Sequence, residues 1–419
     1  MADCNSIPKI TKILGSRKFS MKIDVFFDVY PHPAKPYFEA QLTEWQRQGH
    51  HLRLFSCGQI PGATSAFPIS FIHTLRERPV SLLTRILWRG LTQPARTWRI
   101  VRCSCSPIEI IKLLATDAQL PNQEPDIHFV HNLATAVRFS YLRHATPHAK
   151  LAIYYHGGEI PGVRQIPLTE SAVALGRAHV VFSNTPASVA EAASRGAPAD
   201  RTVPIPVGFP LERFAVPGYR AYIPNSRWRF VCVGRMAQEK GFDFAMNVLA
   251  DLRKRNPAFT VTFIGCGPML HNMKELAARL KMEDIVQFIG HVDSHKLIPM
   301  FADFDALLLT SLPVANSNWT ETQATVMQEA MLMRTIVIAS DFGGIRESLP
   351  QALHQFLYTP GSAPELLKSL MSLMNYELED LRQLSEAGRR FVLSNYNIRT
   401  ISQQLLAHAV GDTSSPQIG

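Results

Sequence analysis

Short apolar, β-branched runs recur along this chain with helix-length segments between them, and that alternation leaves few folds open. The first series is Lys22 to Val29, His51 to Ser56, Asp126 to His131, Lys150 to Tyr155 and His179 to Ser183. The second is Trp228 to Val233, Phe259 to Ile264, Ile285 to Ile289, Asp305 to Thr310 and Thr335 to Ala339. Parallel strands need long crossovers, usually helical, so each series reads as a parallel sheet wrapped by helices. Between the two, Val203-Pro-Ile-Pro-Val-Gly-Phe-Pro210 breaks the pattern and Pro217 to Arg227 is irregular. At 419 residues and 46% hydrophobic content, the chain exceeds one ordinary core. The expected class is α/β: two doubly wound domains in tandem, residues 21–214 and 228–385, joined by a linker at 215–227, with a ligand cleft between them. Residues 386–408 read as a helix packing back toward the first domain, 1–20 as a disordered extension and 409–419 as a frayed tail.

Composition narrows the function classes. Six cysteines are scattered without a C-x-x-C pair, which is thiol usage of a reducing compartment rather than a disulfide framework or zinc site. No run reaches the roughly 18 apolar residues of a spanning helix, and the first twenty residues hold no apolar signal region, so a cytoplasmic protein is expected. The formal charge of +9 is concentrated in part at Arg76, Arg78, Arg85, Arg89, Arg96, Arg99 and Arg102, interleaved with leucines and tryptophans. Residues 76–102 suit either a helical face on anionic membrane headgroups or a helix packed on the core through its leucines. No nucleic-acid motif accompanies the charge, so no nucleic-acid partner is expected.

Two glutamates carry most of the chemical information. Glu321 lies in a polar loop after the strand-like run Asp305 to Ser311, and Glu329 lies on an apolar-rich helix from about Thr325 to Met333. Were all eight positions helical, the side chains would stand about 80° and roughly 12 Å apart. That is too far to share one reacting atom, but it suits two acids gripping different ends of an elongated ligand. Thr322 to Val326 supply the open N–H groups of a helix start, which favour an anion.

Other candidates sit at strand ends. Gly234 follows the first strand of the second series and lets backbone approach a ligand, while Arg235 and Lys240 place a planar fork and a point charge suited to a diphosphate. His156, beside Gly157 and Gly158, closes a strand of the first series. Gly265-Cys-Gly-Pro268 fails the G-x-G-x-x-G fingerprint, because Leu270 stands at the third glycine, and reads as a tight turn. Asp303-Phe-Asp305 matches a metal-binding D-x-D but lies ahead of a buried strand without further carboxylates, so no metal site is expected.

Taken in order, Val233-Gly-Arg-Met with Lys240-Gly241, Phe263 to Pro268, Val286 to Gly290, Leu309-Thr-Ser311, Glu321 to Met331 and Ser340 to Glu347 resemble the retaining glycosyltransferases of family 4, which have two Rossmann-like domains in the GT-B arrangement. The first domain resembles them through His156-Gly157, Ser183 to Pro186 and Pro206 to Phe214. The resemblance implies transfer of a sugar from a UDP-, GDP- or ADP-sugar to a glycan or lipid-linked acceptor in surface polysaccharide synthesis, with no cofactor and no metal. It implies a catalytic set of Glu321, His156, Arg235 and Lys240. Glu329 would bind the ribose, Glu321 the transferred sugar, and the base would stack near Ile289 and Gly290. Gly234, Thr322, Ala324, Thr325 and Val326 complete the implied donor site. Pro210 stands where the family usually has an aspartate, and Thr322 where it commonly has a glycine. Another GT-B activity, an epimerase or phosphorylase, and a nonenzymatic nucleotide-sugar-binding module are the alternatives that the same residues leave open.

Overall fold

The computed structural model describes residues 20–32, 35–157, 165–214, 227–255, 258–315 and 317–412. The extension up to residue 19, the linker at 215–226 and the tail from 413 lie outside them. The first domain holds seven strands: β1 (Lys22–Val29), β2 (His51–Gly58), β3 (Ile69–Phe71), β4 (Ile127–His131), β5 (Lys150–Tyr155), β6 (Val180–Ser183) and β7 (Thr202–Pro204). They form one sheet in the order β3-β2-β1-β4-β5-β6-β7, and every pair is parallel.

The second domain holds β8 (Trp228–Val233), β9 (Phe259–Ile264), β10 (Val286–Ile289), β11 (Ala306–Leu309), β12 (Ile336–Ser340) and β13 (Leu357–Tyr358). Its parallel sheet runs β10-β9-β8-β11-β12-β13. The expected pair of doubly wound α/β domains is therefore present. Three strands escaped sequence reading, β3, β7 and β13. Each is two or three residues long at a sheet edge, too short to show a pattern, and β7 ends on Pro204, which edges tolerate.

The chain crosses between domains twice, and the crossings touch. The Phe209 N–H donates to the Tyr396 carbonyl at 2.8 Å, and the Ile398 N–H donates to the Phe209 carbonyl at 3.0 Å. This contact corrects the single helix expected over 386–408. There are two helices, Leu378–Asn395 and Ile398–Val410. The break falls where Tyr396 and Ile398 give backbone groups to Phe209, and the Asn397 side chain caps the second helix by accepting from the Arg399 N–H. Leu381, Leu384 and Val392 join the core of the second domain, whereas Ile401, Leu405, Leu406 and Ala409 pack in the first with Ile23, Phe38 and Trp45.

The arginine-rich segment folds as three helices, Pro79–Thr92, Pro94–Val101 and Pro107–Asp117. Two of its arginines turn inward. Arg96 donates through Nη2 to Asp117 Oδ1 at 2.7 Å, and Arg89 donates through Nη2 to the Asp117 carbonyl at 2.7 Å. Leu82 is buried, whereas Leu83, Leu87 and Leu91 face outward.

Candidate functional site

Ligands of doubly wound sheets bind beyond the carboxyl ends of strands, where the strand order reverses. In the second domain that point lies between β8 and β11, and in the first between β1 and β4. The loops leaving these strands enclose one cleft of about 600 Å3, lined by both domains. That volume suits a small-molecule ligand of nucleotide-sugar size.

On the second-domain wall, β8 ends in Gly234 and Arg235. Parallel register sets Val233 beside Ile264, which brings Gly234 and Gly265 together. Gly265 has φ +135°, and a Cβ there would strike the Gly234 carbonyl oxygen, so this turn is a packing device, as its failed fingerprint implied. Arg235 is paired with buried Glu239. Lys240 Nζ donates to Glu321 Oε2 at 2.6 Å and stands 5.2 Å from the Trp319 ring centre. Ser311 Oγ donates to the same carboxylate oxygen at 2.8 Å, and the Glu321 carbonyl accepts from the Gly344 N–H at 2.7 Å. Glu321 is thus held at both backbone and side chain.

The helix Thr325–Leu332 starts beside Ala324 without a side-chain cap, leaving its first N–H groups open to a ligand. Glu329 projects from its second turn into the cleft yet is only 7% exposed. Burial pushes its carboxyl up to about 8. Behind it lies a second, apolar cavity of about 510 Å3 bordered by Phe209, Ile298 and Met333.

The first-domain wall is different in chemistry. His156 Nε2 and His131 Nδ1 lie 3.0 Å apart in stacked rings, so one nitrogen carries the proton of that bond. Burial, and then the charge of Lys35, lowers His156 to about 3, and burial lowers His131 well below its ordinary range. Both rings are neutral at pH 7. Lys35, Tyr37, Asn132 and Asn184 share this wall.

The domains are bonded across the cleft. Thr322 Oγ1 donates to the His156 carbonyl at 3.0 Å and accepts from Asn184 Nδ2 at 2.9 Å. Gly157 has φ +106°, and a Cβ there would collide with the Thr322 methyl, so a glycine is required where the domains meet. Gln323 Oε1 accepts from the Val207 N–H at 2.8 Å, and Thr320 Oγ1 donates to Glu191 at 2.7 Å.

Of the residues singled out in the sequence, Glu321, His156, Arg235, Lys240, Gly234, Thr322, Ala324, Thr325, Val326 and Glu329 line one cleft. Ile289 and Gly290 directly precede His291 and Val292, which also line it, and the Ile289 and Gly290 carbonyls both accept from the Gly265 N–H. Thr322 is also more committed than expected, since its hydroxyl bridges to the first domain. Asp305 is structural: its carboxylate accepts from the Arg229 N–H at 2.8 Å and from Arg229 Nη2 at 3.0 Å. Lys35, Tyr37, His131, Asn132 and Trp319 were missed. His131 ends β4 and Asn132 follows it, whereas Lys35, Tyr37 and Trp319 lie well past β1 and β11 with no signal to mark them.

Residues 221–391 match the family model of glycosyl transferases group 1. That match lies over the second domain. Over its length the chain is similar to other glycosyltransferases. It is 21% identical over 402 residues to WcaL of Salmonella typhimurium, provisionally named a colanic acid biosynthesis glycosyltransferase, covering 92% of this chain and 98% of that protein. It is 26% identical over 210 residues to the amylovoran biosynthesis glycosyltransferase AmsK of Erwinia amylovora, half of this chain (50%) and 51% of AmsK. Among solved structures, Anabaena HepE in complex with UDP and glucose superposes with a TM-score of 0.66 at 18% identity, covering 92% of this chain and 98% of HepE. The second domain thus supplies Arg235, Lys240, Glu321 and Glu329, and the first domain supplies the histidine pair.

Proposed function

We propose that the protein is a retaining glycosyltransferase that moves a sugar from a nucleoside-diphosphate sugar to a glycan or lipid-linked acceptor in polysaccharide synthesis, without a metal. One observation carries this reading: two acids, two cations and an uncapped helix start from the group 1 domain line a single cleft closed by a neutral histidine. The donor lies along the second-domain wall with its ribose at Glu329 and its sugar at Glu321. The diphosphate sits against the Thr325 helix start, within reach of Arg235 and Lys240. A buried carboxyl at Glu329 suits ribose hydroxyls better than a charged group, since neither partner brings a full charge into the dry pocket.

Each cation is paired with a glutamate, Arg235 with Glu239 and Lys240 with Glu321. Donor binding lets Lys240 exchange some of its contact with Glu321 for a phosphate oxygen. As the bond from the anomeric carbon to the phosphate oxygen breaks, charge grows on the leaving diphosphate, where preorganised cations and N–H dipoles count most. The acceptor oxygen bonds to the anomeric carbon on the face the diphosphate leaves, and its proton passes to the departing phosphate. Retention follows from that same-face geometry, and neither glutamate serves as a general base. His156, neutral and held by His131, is a hydrogen-bonding group for the donor sugar and adds no charge.

The test is donor cleavage. Incubated with UDP-, GDP- and ADP-sugars, the protein is expected to release nucleotide slowly from at least one, and the Glu321→Ala variant to lose that release. Binding of donors with no cleavage in the presence of any acceptor would identify a binding module instead.

A further inference from the structure

Nine of the thirteen large hydrophobic side chains exposed among the described residues fall between positions 80 and 111. They are concentrated on the three helices of the arginine-rich segment, so they are not the scattered apolar exposure of an ordinary surface. On the Pro79–Thr92 helix, Val80, Leu83, Leu87, Trp88 and Leu91 are 51–79% exposed. At 100° per residue they span one face about 140° wide. Leu82 and Arg89, on the opposite face, are buried. Trp98 and Val101 extend the exposed surface on the second helix, and Ile108 and Ile111 on the third. The amphipathic helix is therefore mounted with its apolar stripe outward, and the buried bonds from Arg89 and Arg96 to Asp117 hold it that way.

Charge around the stripe is one-sided. Arg76, Arg78, Arg85, Arg102 and Lys112 are exposed, against Glu77 and Glu109. The Arg102 guanidinium lies 4.5 Å from the Trp98 ring centre, a pairing that places a cation and an amphipathic ring at the same level. A second copy of this face would oppose like charges in a symmetric contact. An anionic lipid surface opposes none.

We propose that this face inserts into the headgroup boundary of an anionic bilayer. Leu87, Leu91 and Trp98 enter the acyl edge, and the exposed arginines meet the phosphates. Arg89 and Arg96 take no part, because they are the internal anchor. Apolar insertion is thus the larger contribution and arginine attraction the smaller.

Flotation of the full chain with phosphatidylglycerol-containing vesicles tests this, with phosphatidylcholine vesicles as the comparison. The wild type is expected to float with the anionic vesicles and to shift its tryptophan emission to the blue. A Leu87→Ser, Leu91→Ser, Trp98→Ser variant is expected to lose about tenfold or more in partitioning, and an Arg85→Gln, Arg102→Gln variant only a few-fold. Both should keep the wild-type melting temperature, and a single Leu91→Asp variant serves if the triple variant does not. Two results overturn the proposal. One is a wild type that floats with no vesicle. The other is a wild-type dimer in sedimentation that the apolar variant turns monomeric, with no vesicle binding, which would make the face an interface between copies.

Discussion

The second-domain wall of the cleft is made of charged side chains on loops leaving β8 and β11, while the first-domain wall is made mainly of neutral rings and amides set among packed aromatics. Arg235, Lys240 and Glu321 are anchored inside the second domain: Arg235 by Glu239, and Glu321 by Lys240 and Ser311. His156 is anchored in the other, stacked on Tyr154 at 4.2 Å and on His131 at 5.3 Å between ring centres. The difference implies a division of work. On the proposed reading, charge stabilisation of the leaving diphosphate belongs to one domain, and the other positions the sugar mainly through neutral groups.

The largest expected effect is at Glu321. Glu321→Gln should lower donor cleavage about 100-fold or more, followed as nucleotide release, because it removes a group held against the reacting sugar and the partner of Lys240. Lys240→Ala should follow at about 10- to 100-fold in kcat, with Arg235→Ala smaller, since leaving-group charge loses one of several stabilising groups. His156→Ala should lower transfer about tenfold and leave the Kd for the nucleoside diphosphate within about twofold, a loss typical of one positioning hydrogen bond. If that Kd moves as much as the rate, the division between the walls fails.

Glu329 offers a pH test. Its folded carboxyl titrates near 8 against 4.5 unfolded, so between those values the unfolded chain has released a proton that the folded chain keeps. Stability therefore falls as pH rises across that window. Glu329→Gln should be neutral near pH 4 and more stable than wild type by about 1–3 kcal/mol at pH 8, in a thermal melt. Its nucleotide affinity should drop a few-fold. The smallest effect concerns the bridge between the walls: Asn184→Ala removes one hydrogen bond to Thr322 and should cost about 1 kcal/mol or less in domain closure, measured as donor affinity.

The sequence made the second-domain wall legible for a physical reason. Gly234 and Arg235 follow β8 directly, and Lys240 precedes Gly241, whose φ is positive as is that of Gly234, so position and residue type coincide there. Lys35, Tyr37 and Asn132 carry no such marker; they reach the cleft because β1 and β4 are neighbours in a sheet order that the chain alone does not display. For residues 76–102 the sequence left two readings open. Leucine periodicity reveals an apolar stripe but not which way it points, and the direction was fixed by a long-range ion pair to Asp117.

The most direct test of the clamp is calorimetric titration of two variants with the nucleoside diphosphate alone and with the intact donor. Glu329→Gln should weaken both ligands equally, because both carry the ribose. Glu321→Gln should leave the nucleoside diphosphate as tight as wild type or tighter, since Lys240 is freed, and should weaken only the intact donor. Equal weakening of both ligands by Glu321→Gln, or no effect of Glu329→Gln on either, would contradict the placement of sugar and ribose at opposite ends of the pair.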